Sequence, residues 1–88
     1  MTSTHVTYAL HIVDRRLTAP KMQAVLTQYG SNIRTRFGTH DPICGAGVII
    51  LQMMGPKENY ANMEKDLQGI GVEVKMVEFE CQGCKSEV

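Results

Sequence analysis

Apolar and polar residues alternate along the chain in a pattern that predicts four β-strands. Residues 6–12 and 72–77 alternate with a period of two, which is typical of strands with one buried face. Residues 33–40 predict a further strand that carries charge on one side. Residues 48–54 are almost continuously apolar and too short for a typical helix, so they predict a central strand buried on both faces.

Two helices are predicted between these strands. The first is expected to begin with Thr18 as its N-cap and Pro20 in its first turn. Its apolar face has helical spacing and consists of Met22, Val25, Leu26 and Tyr29. The second is expected to begin at Pro56 and to end at Gly69 or Gly71. Its apolar face consists of Tyr60, Met63 and Leu67.

The order strand, helix, strand, strand, helix, strand predicts an α+β fold. With right-handed crossovers, the two strand–helix–strand units interleave into a ferredoxin-like βαββαβ sandwich. We expect an antiparallel four-stranded sheet in the order 4-1-3-2, with both helices on one face. Residues 1–80 are predicted to form this ferredoxin-like domain, and residues 81–88 a polar tail with Cys-x-x-Cys.

The apolar strand at residues 48–54 also predicts association of the chain with itself. Three of its side chains point to one side, Ile49, Leu51 and Met53, and three to the other, Val48, Ile50 and Met54. Two helices on one face can cover only one set. Burial of a set such as Ile49, Leu51 and Met53 is worth roughly 1.5–3 kcal/mol per side chain. We therefore expect a homo-oligomer, a dimer or tetramer, formed through the open sheet face or by strand-edge pairing.

Composition narrows the classes of function. The 88 residues include nine basic and nine acidic ones, and zero net charge argues against direct nucleic-acid binding. No apolar run approaches the roughly 20 residues that span a bilayer, and none resembles a signal peptide, so we expect a cytoplasmic protein without a membrane partner. The odd number of cysteines, three, agrees with a reducing compartment.

Several segments resemble known families. Residues 13–17 resemble the Asp-Arg-x-Gly-x-Leu loop that follows the first strand of ACT domains, without its glycine, and residues 67–74 resemble their passage into the last strand. The chain also resembles the iron-only hydrogenase system regulators, described as transcriptional regulators, at residues 33–38, 48–51 and 71–75. The likeness covers residues 5–79 and includes no catalytic motif. It implies a non-catalytic regulatory or ligand-sensing module associated with hydrogenase machinery.

The ACT resemblance implies a small-molecule effector near the end of the first strand, where Asp14, Arg15 and Arg16 stand. Arginines beside a helix N-terminus favour an anion, and a carboxylate can hold an amino group, so an amino acid or similar zwitterion is expected. Arg34 and Arg36, predicted on one strand face, are a second candidate because guanidinium groups bind carboxylate or phosphate in bidentate fashion. The alternative for the first group is a solvent-exposed charged turn, and the alternative for Arg34 and Arg36 is a solvated edge strand. The opposite strand face is predicted to carry Ile33, Thr35 and Phe37.

Cysteine and histidine residues suggest a second class of function. Cys81 and Cys84 have the spacing that chelates a soft metal or closes a redox disulfide, so a metal-binding or metal-delivery protein is the alternative to a regulator. His40 and Cys44, with His11, suit a transition metal such as Zn, Ni or Cu. In the simpler interpretation, Cys81 and Cys84 belong to an inert tail and His40 is a polar loop residue. Cys44 is then a small buried thiol, and His11 a histidine on the sheet face. No nucleophile–base pair or other cofactor motif is present, so we expect no enzyme.

Overall fold

The computed structural model describes residues 3–40, 43 and 45–81, apart from the side chains of residues 3, 4, 15 and 81. The elements are β1 (Ser3–Ile12), α1 (Arg15–Gln28), β2 (Ile33–His40), β3 (Gly47–Met53), α2 (Met63–Gly69) and β4 (Glu73–Cys81). The strands form one sheet in the order β2-β3-β1-β4, and every neighbouring pair is antiparallel. The predicted ferredoxin-like βαββαβ fold is therefore confirmed. Neither helix in the described residues is long and apolar enough to cross a membrane.

One apolar core lies between the sheet and the two helices. β1 contributes its alternate residues Val6, Tyr8, Leu10 and Ile12. The residues predicted for the two apolar helix faces also contribute, and those that are buried are Met22 and Leu26 of α1, Tyr60 of the turn before α2, and Met63 and Leu67 of α2. The rings of Tyr8 and Tyr60 meet edge to face, with centroids 6.4 Å apart and planes at 87°. This contact joins β1 to the turn that precedes α2.

β3 is central, as predicted, but only one of its faces is covered. Ile49, Leu51 and Met53 are the residues buried beneath the helices. The expectation that association buries this set is therefore wrong. Val48 and Ile50 lie on the other face and are 39% and 36% exposed. We call the side of the sheet that carries no helix the open face.

α1 begins earlier than predicted because Asp14, rather than Thr18, caps it. Oδ1 of Asp14 accepts a hydrogen bond from the backbone N–H of Leu17 at 3.4 Å. The N–H of Thr18 donates to the carbonyl oxygen of Asp14 at 3.1 Å, as in a helix already under way. Pro20 consequently lies inside the helix. Since proline has no N–H, it leaves the carbonyl of Arg16 without its usual helical donor.

α2 begins later than predicted. Pro56 precedes a 3-10 turn, Lys57–Tyr60, and the α-helix itself starts at Met63. The helix ends at Gly69, one of the two predicted positions, and Gly71 turns the chain after the C-cap with φ at +90°, a conformation that glycine adopts without steric cost. The N–H of Val72 then donates to the carbonyl of Leu67 at 3.1 Å, which satisfies a helix-terminal acceptor.

β2 has its predicted bounds, but its residues face differently. The pairing with β3 shifts after Ile33, so Arg34 is an extra residue in a β-bulge. Ile33 packs against the core before the bulge, whereas Phe37, after it, lies opposite Ile50 on the open face. Arg36 lies opposite Leu51, on the face that carries the helices. The predicted grouping of Ile33 with Phe37 is wrong because a bulge breaks the period of two.

The outer ends of the sheet are longer than the sequence pattern indicated. β1 starts at Ser3 and β4 continues to Cys81, and these two residues are paired in the sheet. The backbone of the first cysteine of Cys-x-x-Cys is therefore held at the end of a strand, one residue beyond the predicted domain boundary.

Candidate functional site

A cleft of about 200 Å³ lies between α1 and the ends of β2 and β3. Buried side chains and backbone form its floor, at Ile12, Met22, Gly47 and Ile49. More exposed residues form its rim, at Ala19, Gln23, Gly38, Thr39 and His40. The cleft thus combines an apolar floor with a few polar groups at its mouth, which is the usual character of a small-molecule site.

Two glycines leave room for this cleft. Gly38 lies opposite Ile49, and Gly47 lies opposite both His40 and Ile12, all on the face that carries α1. A side chain at either glycine would project toward the helix, because alternate strand residues share one face. A Cβ built on Gly38 would meet Ile49 Cγ1 at 3.7 Å, which is ordinary contact. The space therefore follows from the choice of residue and not from backbone strain.

Basic residues flank the cleft on both sides. Arg16 precedes Gln23 by two turns, and residues at this spacing lie on one stripe of a helix. On β2, Arg36 and His40 stand two residues before and after Gly38, on the same strand face. Arg16 and Arg36 are exposed and form no ion pair with any of the described residues. Positive charge thus stands on both elements that flank the cleft, although neither arginine is among its lining residues.

Charge is strongly separated along the sequence. Residues 1–40, the basic half, hold five basic residues and one acidic residue, a net charge of +4. Residues 41–88, the acidic half, hold four basic and eight acidic residues, a net charge of −4. α1 and β2 contain no acidic residue at all. The balanced total concealed this asymmetry, although the order of charges in the sequence was enough to show it.

The open face of the sheet carries five exposed apolar residues among polar ones and forms a second candidate site. Its exposed apolar residues are Phe37, Val48, Ile50, Val77 and Phe79. Phe37 is paired with Ile50, so these side chains are direct neighbours, and both phenylalanines are 62% exposed. Contiguous apolar surface of this kind marks interaction sites in small soluble domains.

No family model matches the chain, and no curated protein matches it. Among solved structures, the uncharacterized protein TM1266 from Thermotoga maritima is similar with a TM-score of 0.78 and 19% identity, over 90% of this chain and 99% of that one. The ACT domain of GTP pyrophosphokinase from Chlorobium tepidum is similar with a TM-score of 0.66 and 14% identity, over 83% of this chain and 96% of that one. A third similar structure is that of CPII, a nitrogen regulatory PII-like protein from Thiomonas intermedia K12 bound to ADP, AMP and bicarbonate. Its TM-score is 0.64 and its identity 9%, over 92% of this chain and 93% of that one. The fold is that of ACT and PII-like domains.

At these identities the likeness extends to the ferredoxin-like fold alone. It bears out the ACT-like part of the sequence resemblance, because the same order of strands and helices recurs over nearly the whole of each neighbour. None of these matches supports the link to iron-only hydrogenase systems. Function must therefore be argued from the residues of this chain.

The structure separates the residues that the ACT resemblance implied for a ligand. Asp14 caps α1, so its carboxylate already occupies a donor that an anion at this helix end would need. Arg16, Arg34 and Arg36 all lie on elements that border the cleft and none of them lines it, but Arg36 shares the strand face of Gly38 whereas Arg34 lies in the bulge. The side chain of Arg15 lies outside the described residues.

The predicted histidine–cysteine metal site does not include His11. His40 lines the cleft, whereas His11 lies on the open face, with Nδ1 3.4 Å from Oε1 of Glu73. Three sulfur ligands predicted for metals lie outside the described part of the chain, those of Cys44, Cys81 and Cys84, so these predictions stay predictions. Within the described part, no three His, Cys, Asp or Glu side chains come together in a group that could hold a metal.

Proposed function

We propose that the chain is a non-catalytic, ligand-sensing regulatory module whose ligand binds in the cleft between α1 and β2. The observation that carries the proposal is the cleft itself, about 200 Å³ with an apolar floor and a polar mouth. An apolar cavity of roughly 150 Å³ is sufficient to bind benzene, so this cleft has room for a somewhat larger small molecule. His40 at its mouth and the arginines on the flanking elements would orient a ligand whose apolar part is buried on the floor.

β2 connects this cleft to the open face. Because strand residues alternate between faces, Gly38 and His40 border the cleft while Phe37 belongs to the opposite side of the sheet. A ligand that fixes the position of β2 relative to α1 therefore acts on the same strand that carries the exposed Phe37. This arrangement gives a ligand a direct structural route to the surface where a partner would bind.

The occupant we propose for the open face is a second copy of the chain. A two-fold axis parallel to the strands lays one sheet over the other, so β2 of each copy lies against β4 of its partner. On this face the regularly paired residues of β2 are uncharged, namely Thr35, Phe37 and Thr39, and the charges of Glu73 and Lys75 on β4 balance, so this orientation opposes no like charges. The apolar residues at the centre of the face would then be removed from water.

Association is tested by light scattering at micromolar concentration. The native chain is expected to give at least the dimer mass, and Ile50→Asp, in the middle of the open face, the monomer mass. Leu17→Asp is the matched control, because Leu17 is also an exposed apolar residue, 72% exposed, but lies on α1. A monomeric native chain, or equal effects of the two variants, would overturn the assignment of the open face.

Ligand binding is tested by a thermal-shift screen of amino acids and small organic acids. A ligand at a hundredfold its dissociation constant adds about 2.7 kcal/mol of stability, which corresponds to roughly 10–20 °C in a domain of this size. Gly38→Val, which fills the cleft from β2, is expected to abolish the shift, whereas Gly30→Ala, in open space, is the control. No shift with any compound, or a shift that persists in Gly38→Val, would contradict the proposal.

The regulated process and the metal-delivery alternative need separate tests. In a host with an iron-only hydrogenase, loss of this protein is expected to change hydrogenase transcript levels, as the sequence resemblance implies. Metal analysis of protein purified without a histidine tag addresses delivery by Cys81 and Cys84. Stoichiometric Zn, Ni or Fe that is lost in Cys81→Ser would favour delivery over ligand sensing.

A further inference from the structure

We infer that the ligand of the α1–β2 cleft is a small organic acid, with its carboxylate held above Gly38 between Arg36 and His40. This inference rests on the proposed function, because it names the chemical class that the same cleft would bind. Three independent features of the basic half support it: the sign of its charge, the spacing of residues on β2, and the apolar floor.

The charge of the surroundings selects an anion. The two elements that wall the cleft contain no acidic residue, and Arg16 and Arg36 have no ion-pair partner among the described residues. A cleft lined by one sign of charge, with low-dielectric walls, concentrates the electrostatic potential and attracts the opposite ion. A cationic or zwitterionic ligand would be held best by a carboxylate, and none of the described residues that line this cleft carries one.

The spacing on β2 suits a single carboxylate. Arg36 and His40 each stand about 7 Å from Gly38 along the strand and share its face, so an anion between them can be reached from both directions. Gly38 has no side chain, which lets the ligand approach the backbone closely. A guanidinium can grip a carboxylate through two parallel hydrogen bonds, which gives orientation as well as attraction.

The floor of the cleft requires a carbon chain as well as a charge. Ile12, Met22 and Ile49 are buried apolar residues, so the interior offers contact area rather than hydrogen bonds. Each methylene that the ligand buries there is expected to raise affinity about fourfold. An inorganic anion makes no use of this floor, so the inference applies to organic acids.

The test uses pairs of compounds that differ only in charge, with isothermal titration calorimetry at low ionic strength. Butyrate, isovalerate and benzoate are compared with their neutral amides, and inorganic phosphate is included as an anion without a carbon chain. The acids are expected to bind at least tenfold more tightly than the amides and phosphate, and more weakly as salt is added.

Two arginine variants locate the site. Arg36→Gln is expected to lower the affinity for the acids about tenfold or more, because it removes a charge-assisted hydrogen bond. Arg34→Gln is the matched control, since it removes the same charge from the same strand at the bulge rather than on the strand face that carries Gly38. Unliganded melting temperatures and circular dichroism spectra show whether each variant folds. Gly38→Ala, a mild change at an uncrowded position, tests the same location independently and is expected to lower the affinity for the acids.

The outcomes distinguish this inference from the proposed function. Equal binding of acids and amides, both weakened by Gly38→Ala, would overturn the choice of an organic acid and leave the cleft as a ligand site. Binding of phosphate as tight as that of the acids would also overturn the inference. Equal losses in Arg34→Gln and Arg36→Gln would show attraction to general positive charge and overturn the location. Failure of every compound in the calorimeter and in the thermal screen would overturn both proposals.

Discussion

The acidic and basic halves of this domain differ in how their charges are partnered. In the acidic half, Lys57 Nζ lies 2.8 and 3.0 Å from the carboxylate oxygens of Glu78. Asp66 of α2 accepts a hydrogen bond from the hydroxyl of Tyr29 at 2.8 Å, and this bond joins the two helices. In the basic half, three exposed arginines form no ion pair within the described part of the chain, namely Arg16, Arg34 and Arg36.

The acidic half is also the more closely packed of the two. Met63 and Leu67 of α2 are completely buried, whereas the side of α1 toward β2 borders the cleft. A chain of 88 residues has little apolar core to spare, so open volume and unpartnered charge on one side require an explanation. A ligand with a negative charge and a carbon chain would fill the open volume and give the unpartnered charge a partner. Zero net charge over the whole chain is therefore a poor guide to the partners of either half.

The largest effect is expected from a change in the closely packed acidic half. Leu67→Ala is predicted to lower the free energy of unfolding by about 2–5 kcal/mol, because it leaves a cavity beside completely buried neighbours. The counterpart in the basic half, Gly38→Ala, adds a methyl group at ordinary contact distance and is expected to be neutral or stabilising by about 0.4–1 kcal/mol. Urea unfolding measures both, and a small loss for Leu67→Ala would contradict the contrast in packing.

A second contrast concerns two glycines in turns. Gly55, after β3, has φ at +85°, and a Cβ there would lie 2.9 Å from Nδ2 of Asn32, which itself donates to the carbonyl of Met54 at 3.1 Å. We expect Gly55→Ala to lower the free energy of unfolding by about 1–3 kcal/mol. Gly30→Ala, in the basic half, meets no atom within 4 Å and should stabilise by about 0.4–1 kcal/mol. Similar values for the two variants would show that the Gly55 turn relaxes without strain.

The order of elements was predictable because it depends on local period. The bounds of β2 and the central place of β3 followed from alternation and from one apolar run. The bulge at Arg34 was not predictable, because it depends on how β2 meets β3 and leaves the local alternation intact. Asp14 was considered as a ligand group, although an aspartate just before a helix is equally a typical N-cap.

The candidate site was less accessible to sequence analysis than the fold. The cleft depends on Gly38 and Gly47, which are nine positions apart and become neighbours of α1 only when the sheet forms. Nothing in the local pattern distinguishes a glycine that opens a cleft from one that marks a turn or lies in a strand. The electropositive surroundings, by contrast, could have been found by counting charge in each half of the chain.

Alkaline pH should weaken the fold through two buried tyrosines, one in each half of the chain. Burial raises the pKa of Tyr8, and the carboxylate of Glu64 adds to this rise; burial also raises the pKa of Tyr60. A raised pKa means that the fold favours the protonated phenol, so this stabilisation is complete below pH 10 and is lost as pH rises through the higher folded-state pKa. We expect the urea midpoint to fall above pH 10, and to fall less steeply in Tyr60→Phe. An unchanged profile in Tyr60→Phe would contradict this origin.

The smallest effect is expected at the exposed ion pair of Lys57 and Glu78. The hydrogen bond from Lys57 to the Glu78 carboxylate raises the pKa of Lys57, so the contribution of the pair is present below pH 10.5 and is lost above it. Lys57→Gln should lower the melting temperature slightly at low salt. Lys65→Gln is the matched control, because Lys65 is an exposed lysine of α2 that forms no ion pair with the described residues. The difference between the two variants should disappear at 1 M NaCl, where the screening length falls to about 3 Å, and a difference that survives would assign it to packing of the Lys57 carbon chain.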